Sequence, residues 1–266
     1  MKQTRIDVYL VEKGHAPSRT KAQALIEAGL VSVRKDFLLR TVQASCELID
    51  VDSNPEILIQ KNPMDKYVSR AGIKMEGALD HLKFNVDGLT VLDVGISTGG
   101  FSDCLLQRGA SSIVCVDVGH NQLSPRLKSD PRLFCMEGVN AREIHKNSEL
   151  IKKMPPGGFP LVVVDVSFIS LNLVLPSVTQ LVKLWGHIIA LVKPQFEVGP
   201  ENLSKGGIVK NESLFVEVEE KFRKLSPTLS LEVKDFFPSK LEGKEGNREF
   251  FLFAQKKITF SPFYGF

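Results

Sequence analysis

Three ionisable residues stand where predicted strands end or begin. Asp165 closes the apolar run that starts at residue 161, Lys193 follows the run 188–192, and Glu249 begins the last predicted strand. A carboxylate after such a run is seldom only structural, because burying an unpaired charge is costly. We therefore expect Asp165, Lys193 and Glu249 to meet at one edge of a sheet, with the lysine beside the aspartate. Such a cluster can orient a substrate hydroxyl and help to remove its proton.

Lys74 is a fourth candidate for this cluster, and it lies on a helix predicted ahead of the first strand. It borders the apolar face of that helix, which contains Ala71, Met75, Ala78, Leu79 and Leu82. The alternative is a surface lysine whose aliphatic stem covers the apolar face while its ammonium stays in water.

Residues 90–101 predict a ligand-binding loop between a buried strand and a helix. A glycine loop at the carboxyl end of a parallel strand lets a ligand lie against bare backbone. The spacing matches neither the dinucleotide fingerprint nor the Walker phosphate loop. An acidic residue before the first glycine instead favours a nucleoside with a charged amino-acid tail, S-adenosylmethionine. The predicted contacts in this loop are Asp93, Gly95, Ser97, Gly99, Gly100 and Phe101.

Two further residues could contact such a cofactor. Asp117 ends the second predicted strand, where a carboxylate can accept hydrogen bonds from both ribose hydroxyls. A helix-capping role for Asp117 remains the alternative. Asn140 follows the third predicted strand and could approach the adenine.

The elements that position these residues alternate between strands and helices. Strands are predicted at 90–94, 112–116, 132–136, 161–166, 187–192, 231–237 and 248–254, with helices at 99–108, 122–129, 148–153, 171–184 and 211–224. This alternation predicts an α/β fold with a mostly parallel sheet covered on both faces. Only residues 238–247 separate the last two strands, so the final strand should run antiparallel. A Rossmann-like sheet of seven strands with one reversed is typical of methyltransferases.

The chain divides into a small unit at residues 1–60, a linker with the leading helix at 61–89, and a large domain at 90–266. The small unit predicts an α+β arrangement of two short helices on a small sheet, with strands at 31–33 and near 46–51 and 57–60. Residues 1–40 hold eight Lys or Arg against four Asp or Glu, which suggests a surface that faces phosphates. An ordinary solvated face is the alternative.

The small unit resembles the alpha-L RNA-binding module that a ribosomal protein, pseudouridine synthases and a tyrosyl-tRNA synthetase share. The matching pattern is Arg5-x-Asp7-x-x-Leu10, then Ser18-Arg19-x-x-Ala22, then Ile26-x-x-Gly29-x-Val31-x-Val33. In that family the second helix and the strand after it contact RNA. The resemblance and the local charge together give these RNA-binding candidates: Arg5, Ser18, Arg19, Lys21, Arg34 and Lys35.

Nearly the whole chain resembles the TlyA family of haemolysin-A-like 2′-O-ribose rRNA methyltransferases and the wider FtsJ/RrmJ superfamily. The matching segments are 68–74, 93–101, 165–168, 191–197, 206–209 and 246–249. The superfamily uses a Lys-Asp-Lys-Glu tetrad, which falls on Lys74, Asp165, Lys193 and Glu249. The resemblance implies that residues 90–266 form a methyltransferase domain dependent on S-adenosylmethionine, acting on ribosomal RNA or ribosomal subunits with cytidine as the family-typical target.

The implied reaction fits the residue types. A ribose 2′-hydroxyl is a poor nucleophile, so its methylation needs in-line positioning and help in losing a proton. Lys193 would orient or deprotonate the hydroxyl, Asp165 would fix Lys193, and Lys74 with Glu249 would hold the ribose. We expect no metal, since the five histidines are scattered without paired ligand spacing.

A turn and a glycine loop follow Lys193. The loop through Gly206 and Gly207 could close over a nucleotide, and Phe196 could stack on a splayed base. A core position for Phe196 is the alternative.

Composition is that of an ordinary globular protein, with 43% hydrophobic residues and a net charge of +3. Four cysteines without a CxxC pair and an N-terminus without an apolar signal core favour the cytoplasm. Three other functions stay open: a haemolysin, a non-catalytic RNA-binding factor in ribosome assembly, and a methyltransferase for small molecules. A haemolysin would need amphipathic or apolar membrane segments, and no stable membrane insertion is expected from this sequence.

Overall fold

The computed structural model describes residues 3–35, 38–60, 66–243 and 245–258. The chain forms two compact units, Met1–Lys66 and Tyr67–Phe266. Within the described ranges, every helix falls short of the length and apolar character that a membrane crossing requires.

The first unit contains two helices and two small antiparallel sheets. Its elements are β1 (Gln3–Arg5), α1 (Ile6–Glu12), α2 (Arg19–Glu27), β2 (Val31–Lys35), β3 (Leu38–Thr41), β4 (Leu48–Asp50) and β5 (Glu56–Ile59). Strand β1 pairs with β4, while β2 lies between β3 and β5. A core that includes Tyr9, Leu10, Ile26 and Val31 joins the helices to the strands. The sequence predicts the two helices and three of the strands. The prediction of a single small sheet is wrong, because the strands form two sheets.

The second unit is an α/β domain, as the sequence predicts. Its strands are β6 (Thr90–Val94), β7 (Ser112–Val116), β8 (Leu133–Met136), β9 (Phe159–Val164), β10 (Val182–Val192), β11 (Leu231–Pro238) and β12 (Phe250–Lys256). Its helices are α3 (Ala71–Leu82), α4 (Gly100–Gln107), α5 (Pro125–Lys128), α6 (Ser148–Lys153), α7 (Leu175–Leu181) and α8 (Ser213–Leu225).

The seven strands form one sheet in the order β11-β12-β10-β9-β6-β7-β8. Neighbouring strands from β10 through β8 run parallel, whereas β12 runs antiparallel to both β10 and β11. The predicted reversal of the last strand is therefore confirmed. The central strands are buried on both faces, so the carboxyl ends of β6, β9 and β10 are held at one rigid edge.

Two predicted helices are shorter than expected. The helix predicted at 171–184 is a 3-10 turn at Leu171–Leu173 followed by α7, and β10 already begins at Val182. Val182 pairs with Phe159 of β9, and the register shifts before the next pair, His187 with Leu161. The helix predicted at 122–129 reduces to α5, because Pro125 fits only the first turn of a helix.

Candidate active site

The strand register brings three of the predicted catalytic residues to one edge of the sheet. Val94 pairs with Val164 across β6 and β9, and Val164 pairs with Ala190 across β9 and β10. Asp165 directly follows β9. Val192 pairs with Phe250 across β10 and β12, so Lys193 directly follows that pair and Glu249 directly precedes it. Lys193 and Glu249 therefore continue the register on facing strands, as expected from the sequence.

Lys193 and Asp165 form an ion pair at this edge. Lys193 Nζ lies 2.6 Å from Asp165 Oδ1, and it also donates a hydrogen bond of 2.7 Å to Ser167 Oγ. The two charged side chains are only 12% and 19% exposed. Salt screens such a pair much less than a surface pair. Its two contacts hold the lysine nitrogen in a defined place.

Lys74 and Glu249 form a second ion pair, in which Lys74 Nζ donates to Glu249 Oε2. Their side chains are 11% and 4% exposed. Lys74 lies on α3, so this pair joins the leading helix to the start of β12. Its ammonium is turned to a buried carboxylate, which removes the alternative of a surface lysine.

The segment before α3 is held by a buried acid on α4. Asp103 accepts a hydrogen bond of 2.8 Å from the backbone N–H of Val68, and its carboxylate also contacts Gln107 and Arg126. This network fixes the chain that leads to Lys74. Sequence reasoning missed Asp103, although an acid among the apolar residues of α4 is the signal that could have found it.

The glycine loop approaches the backbone after β9 too closely for any side chain. Gly95 has a φ of +89°, and a Cβ on it would lie 2.5 Å from the carbonyl oxygen of Asp165. Gly99 has a φ of +96° and directly precedes α4. The first turn of α4 has backbone N–H groups without partners inside the helix, and such groups could bind an anionic group.

Asp93 is fully buried at the end of β6 and is only partly hydrogen-bonded. Ser102 Oγ donates to Asp93 Oδ2 at 2.6 Å, whereas Oδ1 has no hydrogen-bond partner among the described residues. Burial raises the pKa of Asp93 to about 7, against the opposing bond from Ser102 and with help from the charges of Asp165 and Asp117. An orphaned carboxylate oxygen fits a ligand that carries a hydrogen-bond donor, such as an amino group.

Asp117 ties the glycine loop to the end of β7. Its carboxylate accepts hydrogen bonds from the backbone N–H groups of Ser97 and Gly119, both at 2.7 Å. Ser97 Oγ also donates to the amide oxygen of Gln122 at 3.1 Å. These partners lie in loops, so Asp117 is not the helix cap that was the alternative. Each carboxylate oxygen keeps acceptor capacity for a ribose hydroxyl.

Phe101 and Asn140, also predicted as cofactor contacts, have partners within the protein. Phe101 is buried, and its ring centroid lies 6.2 Å from that of Phe251. Asn140 is exposed and accepts a hydrogen bond of 3.0 Å from the backbone N–H of Arg142. The structure gives Phe101 a packing role, and the contact of either residue with the cofactor stays a prediction.

An aromatic pair, exposed Phe168 and half-buried Phe196, follows the two members of the Lys193 ion pair along the chain. Phe168 is 92% exposed and has a φ of +62°, which is unusual for a bulky residue. Its ring centroid lies 5.4 Å from that of Phe196 at an interplanar angle of 50°. Sequence reasoning named Phe196 and missed Phe168. The signal was available, since Phe168 follows Asp165 by three residues.

A second loop, which follows β10 and contains Gly206 and Gly207, is hydrogen-bonded to the turn that leads into Glu249. Asn247 is buried, donates through Nδ2 to the carbonyl of Gly207 at 2.9 Å, and accepts through Oδ1 from the N–H of Val209 at 3.1 Å. This side chain thus pairs with the loop as a backbone strand would. The sequence predicts the loop but not its clamp.

In the first unit, two predicted RNA-binding arginines surround one buried acid. Asp7 is fully buried and accepts hydrogen bonds from Arg5 and Arg19 at 3.1 Å and from Gln23 at 2.8 Å. Burial opposes ionisation, but the bonds from Arg5, Gln23 and Arg19 outweigh it and hold the pKa of Asp7 well below its usual range. Both arginines remain about half exposed, so each is oriented by Asp7 and still open to solvent.

The other predicted RNA-binding residues are dispersed over α2 and β2. Ser18 caps α2 by accepting from the N–H of Lys21 at 3.3 Å, and Lys21 itself is exposed. Arg34 forms an ion pair of 3.1 Å with Glu56 on the neighbouring strand. The side chain of Lys35 lies outside the described part of the chain.

The described residues contain no group of three or more His, Cys, Asp or Glu side chains that could hold a metal ion. Four cysteines are present as free thiols.

Comparison with known proteins gives two family matches. The model of the FtsJ-like methyltransferases matches residues 67–256, and that of the S4 domain matches residues 4–33. The 16S/23S rRNA (cytidine-2′-O)-methyltransferase TlyA of Mycobacterium tuberculosis is 36% identical over 96% of this chain and 90% of its own. Hemolysin A of Brachyspira hyodysenteriae is 38% identical over 79% of this chain and 82% of its own. A solved structure of a candidate hemolysin from Streptococcus thermophilus has 35% identity and a TM-score of 0.69, covering 97% of this chain and 90% of that one.

Proposed function

Because the chain belongs to the FtsJ-like methyltransferase family, we propose that it methylates a ribose 2′-hydroxyl of ribosomal RNA with S-adenosylmethionine as the donor. The main support for this proposal is that two ion pairs lie at the sheet edge next to the glycine loop. They are Lys193 with Asp165 and Lys74 with Glu249. We extend to this chain the cytidine target in the name of the Mycobacterium relative.

The residues around the glycine loop fit the proposed cofactor. Asp93 would accept a hydrogen bond from its amino group, and the first N–H groups of α4 would bind its carboxylate. Asp117 would accept from the ribose hydroxyls, with Asn140 near the adenine. When bound, the cofactor supplies an electrophilic methyl group.

The two ion pairs divide the remaining work on the RNA. Lys193 is held by Asp165 and Ser167, so it can orient the 2′-hydroxyl towards the methyl group. The hydroxyl would lose its proton as the C–O bond forms and the donor's C–S bond breaks, and Lys193 would keep its oxygen in line for this exchange. Lys74 and Glu249 would hold the ribose from the side of α3.

The RNA would be recognised at two places. The first unit supplies Arg5 and Arg19, which Asp7 orients, and the S4-domain match covers both residues. At the catalytic edge, Phe168 and Phe196 offer aromatic faces on which an unstacked base can lie. A substrate of this class would place the enzyme in the cytoplasm.

A non-catalytic RNA-binding factor is a weaker explanation of this site. Binding alone does not need two partly buried ion pairs and a half-satisfied buried carboxylate at one sheet edge, because each of these lowers stability compared with apolar packing. The same edge is where ligands of parallel α/β sheets bind.

The proposal is tested by incubating purified ribosomal subunits from a strain without this enzyme with S-adenosylmethionine carrying a tritiated methyl group. We expect label in rRNA and none in ribosomal proteins. Absence of label from the RNA of both subunits would refute the proposal.

A further inference from the structure

Glu197 is a buried acid that follows Lys193 by four residues. Its side chain is 1% exposed, and it ends a short 3-10 turn, Pro194–Phe196, that begins directly after Lys193. Neither the tetrad nor the proposed cofactor site uses it. A fully buried carboxylate is retained only where several partners satisfy it, so its partners indicate what it does.

The partners of Glu197 come from two other segments of the chain. Oε1 accepts a hydrogen bond of 2.7 Å from the backbone N–H of Leu171, and Oε2 accepts one of 2.7 Å from Ser170 Oγ. Lys221 on α8 donates to Oε2 at 2.8 Å and supplies the compensating charge. The carboxylate thus joins the segment after β9, the turn after β10 and helix α8.

These contacts join two chain segments into a closed ring that includes Lys193. One segment runs from Asp165 to Ser170 and the other from Lys193 to Glu197. They meet at one end through the Asp165–Lys193 ion pair and at the other through the bonds of Glu197 to Ser170 and Leu171. Between these ends, Lys193 Nζ donates to Ser167 Oγ, and the rings of Phe168 and Phe196 are in contact.

We infer that Glu197 is a positioning residue for methyl transfer, which clasps the two strand-end segments so that Lys193 is held where the 2′-hydroxyl reacts. This inference rests on the proposed function. Catalytic groups must stay within about 0.5 Å of their productive geometry, and a second layer of hydrogen bonds is what keeps them there. Without the clasp, Lys193 would depend on its ion pair with Asp165 and its hydrogen bond to Ser167, which lie at the other end of the two segments.

The test compares three variants of the full-length protein. Glu197→Ala removes both bonds between the segments, and we expect kcat to fall by about 10- to 100-fold, with KM for RNA and for S-adenosylmethionine within about twofold. Glu197→Gln keeps an oxygen that accepts from Leu171 N–H, and should retain at least about half of kcat. Lys221→Met is the matched control, since it removes the buried charge partner but leaves the clasp, and it should lower thermal stability with kcat within about twofold.

Two outcomes would overturn the inference: an unchanged kcat in Glu197→Ala, or equal losses of kcat in Glu197→Ala and Lys221→Met, which would indicate general destabilisation. If Glu197→Ala does not fold, Ser170→Ala takes its place, with an expected loss of kcat of about threefold or more, since it removes the bond to Glu197 together with the cap on Asn172 N–H. An unchanged kcat in that variant would also overturn it.

Hydrogen–deuterium exchange separates this inference from the proposed function. In Glu197→Ala, amide exchange in residues 166–171 should accelerate at least about tenfold as both bonds to the clasp are lost; in Ser170→Ala, which keeps the bond from Leu171 N–H to Glu197, it should accelerate to a smaller extent. An inactive wild-type enzyme would remove the proposed function, and the exchange rates would still decide the clasp. Unchanged exchange in that segment would overturn it.

Discussion

Each of the two units completely buries an aspartate, and the surroundings shift the pKa values of the two carboxyl groups in opposite directions. Asp7 in the first unit accepts bonds from Arg5, Arg19 and Gln23, and its pKa is far below the usual range. Asp93 in the second unit has Ser102 as its hydrogen-bond donor, one orphaned oxygen among the described residues, and a pKa raised to about 7.

The difference indicates a structural role for Asp7 and supports the proposed ligand-binding role of Asp93. A satisfied buried carboxylate stabilises its own unit and orients the groups that satisfy it. A half-satisfied one lowers stability until a ligand supplies the missing donor. Substitution of Asp93 should therefore raise stability and weaken ligand binding, whereas substitution of Asp7 should lower stability.

The largest effect is expected at Lys193, which lies in the second unit together with Asp93. Lys193→Met removes the group that we propose orients the 2′-hydroxyl, so kcat should fall by about 1,000-fold or more. The affinity for S-adenosylmethionine, measured by isothermal titration calorimetry, should stay within about threefold, because the glycine loop is unchanged. Methyl transfer at the wild-type rate would contradict the tetrad.

The second prediction concerns Asp93 and depends on pH. Its folded-state pKa of about 7 lies above the ordinary 3.8, so the folded protein binds the proton more tightly and loses stability as pH rises from about 4 to 7. Asp93→Asn removes this loss. At about pH 8 the variant should be more stable to urea by up to about 4 kcal/mol, with a smaller gain at about pH 5.

The same substitution should weaken S-adenosylmethionine binding, since an amide replaces the orphaned carboxylate oxygen. A variant less stable than the wild type at about pH 8, or one with equal gains at both pH values, would break the comparison between Asp7 and Asp93.

A smaller and opposite change is expected at Asp7. Its depressed pKa gives stability that is present above the ordinary value of 3.8 and is lost as pH falls below it. Asp7→Asn should therefore destabilise the first unit by about 1–3 kcal/mol at neutral pH. Calorimetry should show earlier unfolding of that unit, with the cofactor affinity of the second unit unchanged. Unaltered unfolding would show that the arginine contacts to Asp7 contribute nothing.

The smallest effect is expected at Arg34, whose ion pair with Glu56 is exposed on both sides. Arg34→Ala should change stability by less than about 0.5 kcal/mol. If Arg34 meets a phosphate, RNA affinity should fall a few-fold and the slope of log affinity against log salt should decrease by about 1. A salt slope equal to that of the wild type would exclude Arg34 from the RNA surface.

Much of the second unit was predictable because its signals are local. Apolar runs locate the strands, and the short connection at 238–247 fixes the reversal of β12. Once the strand ends are known, the meeting of Asp165, Lys193 and Glu249 follows from the topology. Lys74 needed the family resemblance, since its helix alone also fits a surface lysine.

What the sequence did not reveal depends on contacts between distant segments. Asp103, Glu197 and Asn247 are polar residues whose non-local partners lie 23 or more positions away, and no spacing rule connects them. Strands β1 and β3 were missed for a different reason. β1 has only three residues, and all four residues of β3 are exposed, so neither shows the alternation that predicts a strand.

The position of the transferred methyl group tests the central claim most directly. Labelled rRNA from the wild-type reaction is digested to nucleosides and analysed by mass spectrometry. The proposed binding of a sugar hydroxyl by Lys193, Asp165, Lys74 and Glu249 predicts label in a 2′-O-methylated nucleoside, with cytidine as the expected base. Label attached to a base, with the ribose unmodified, would contradict it.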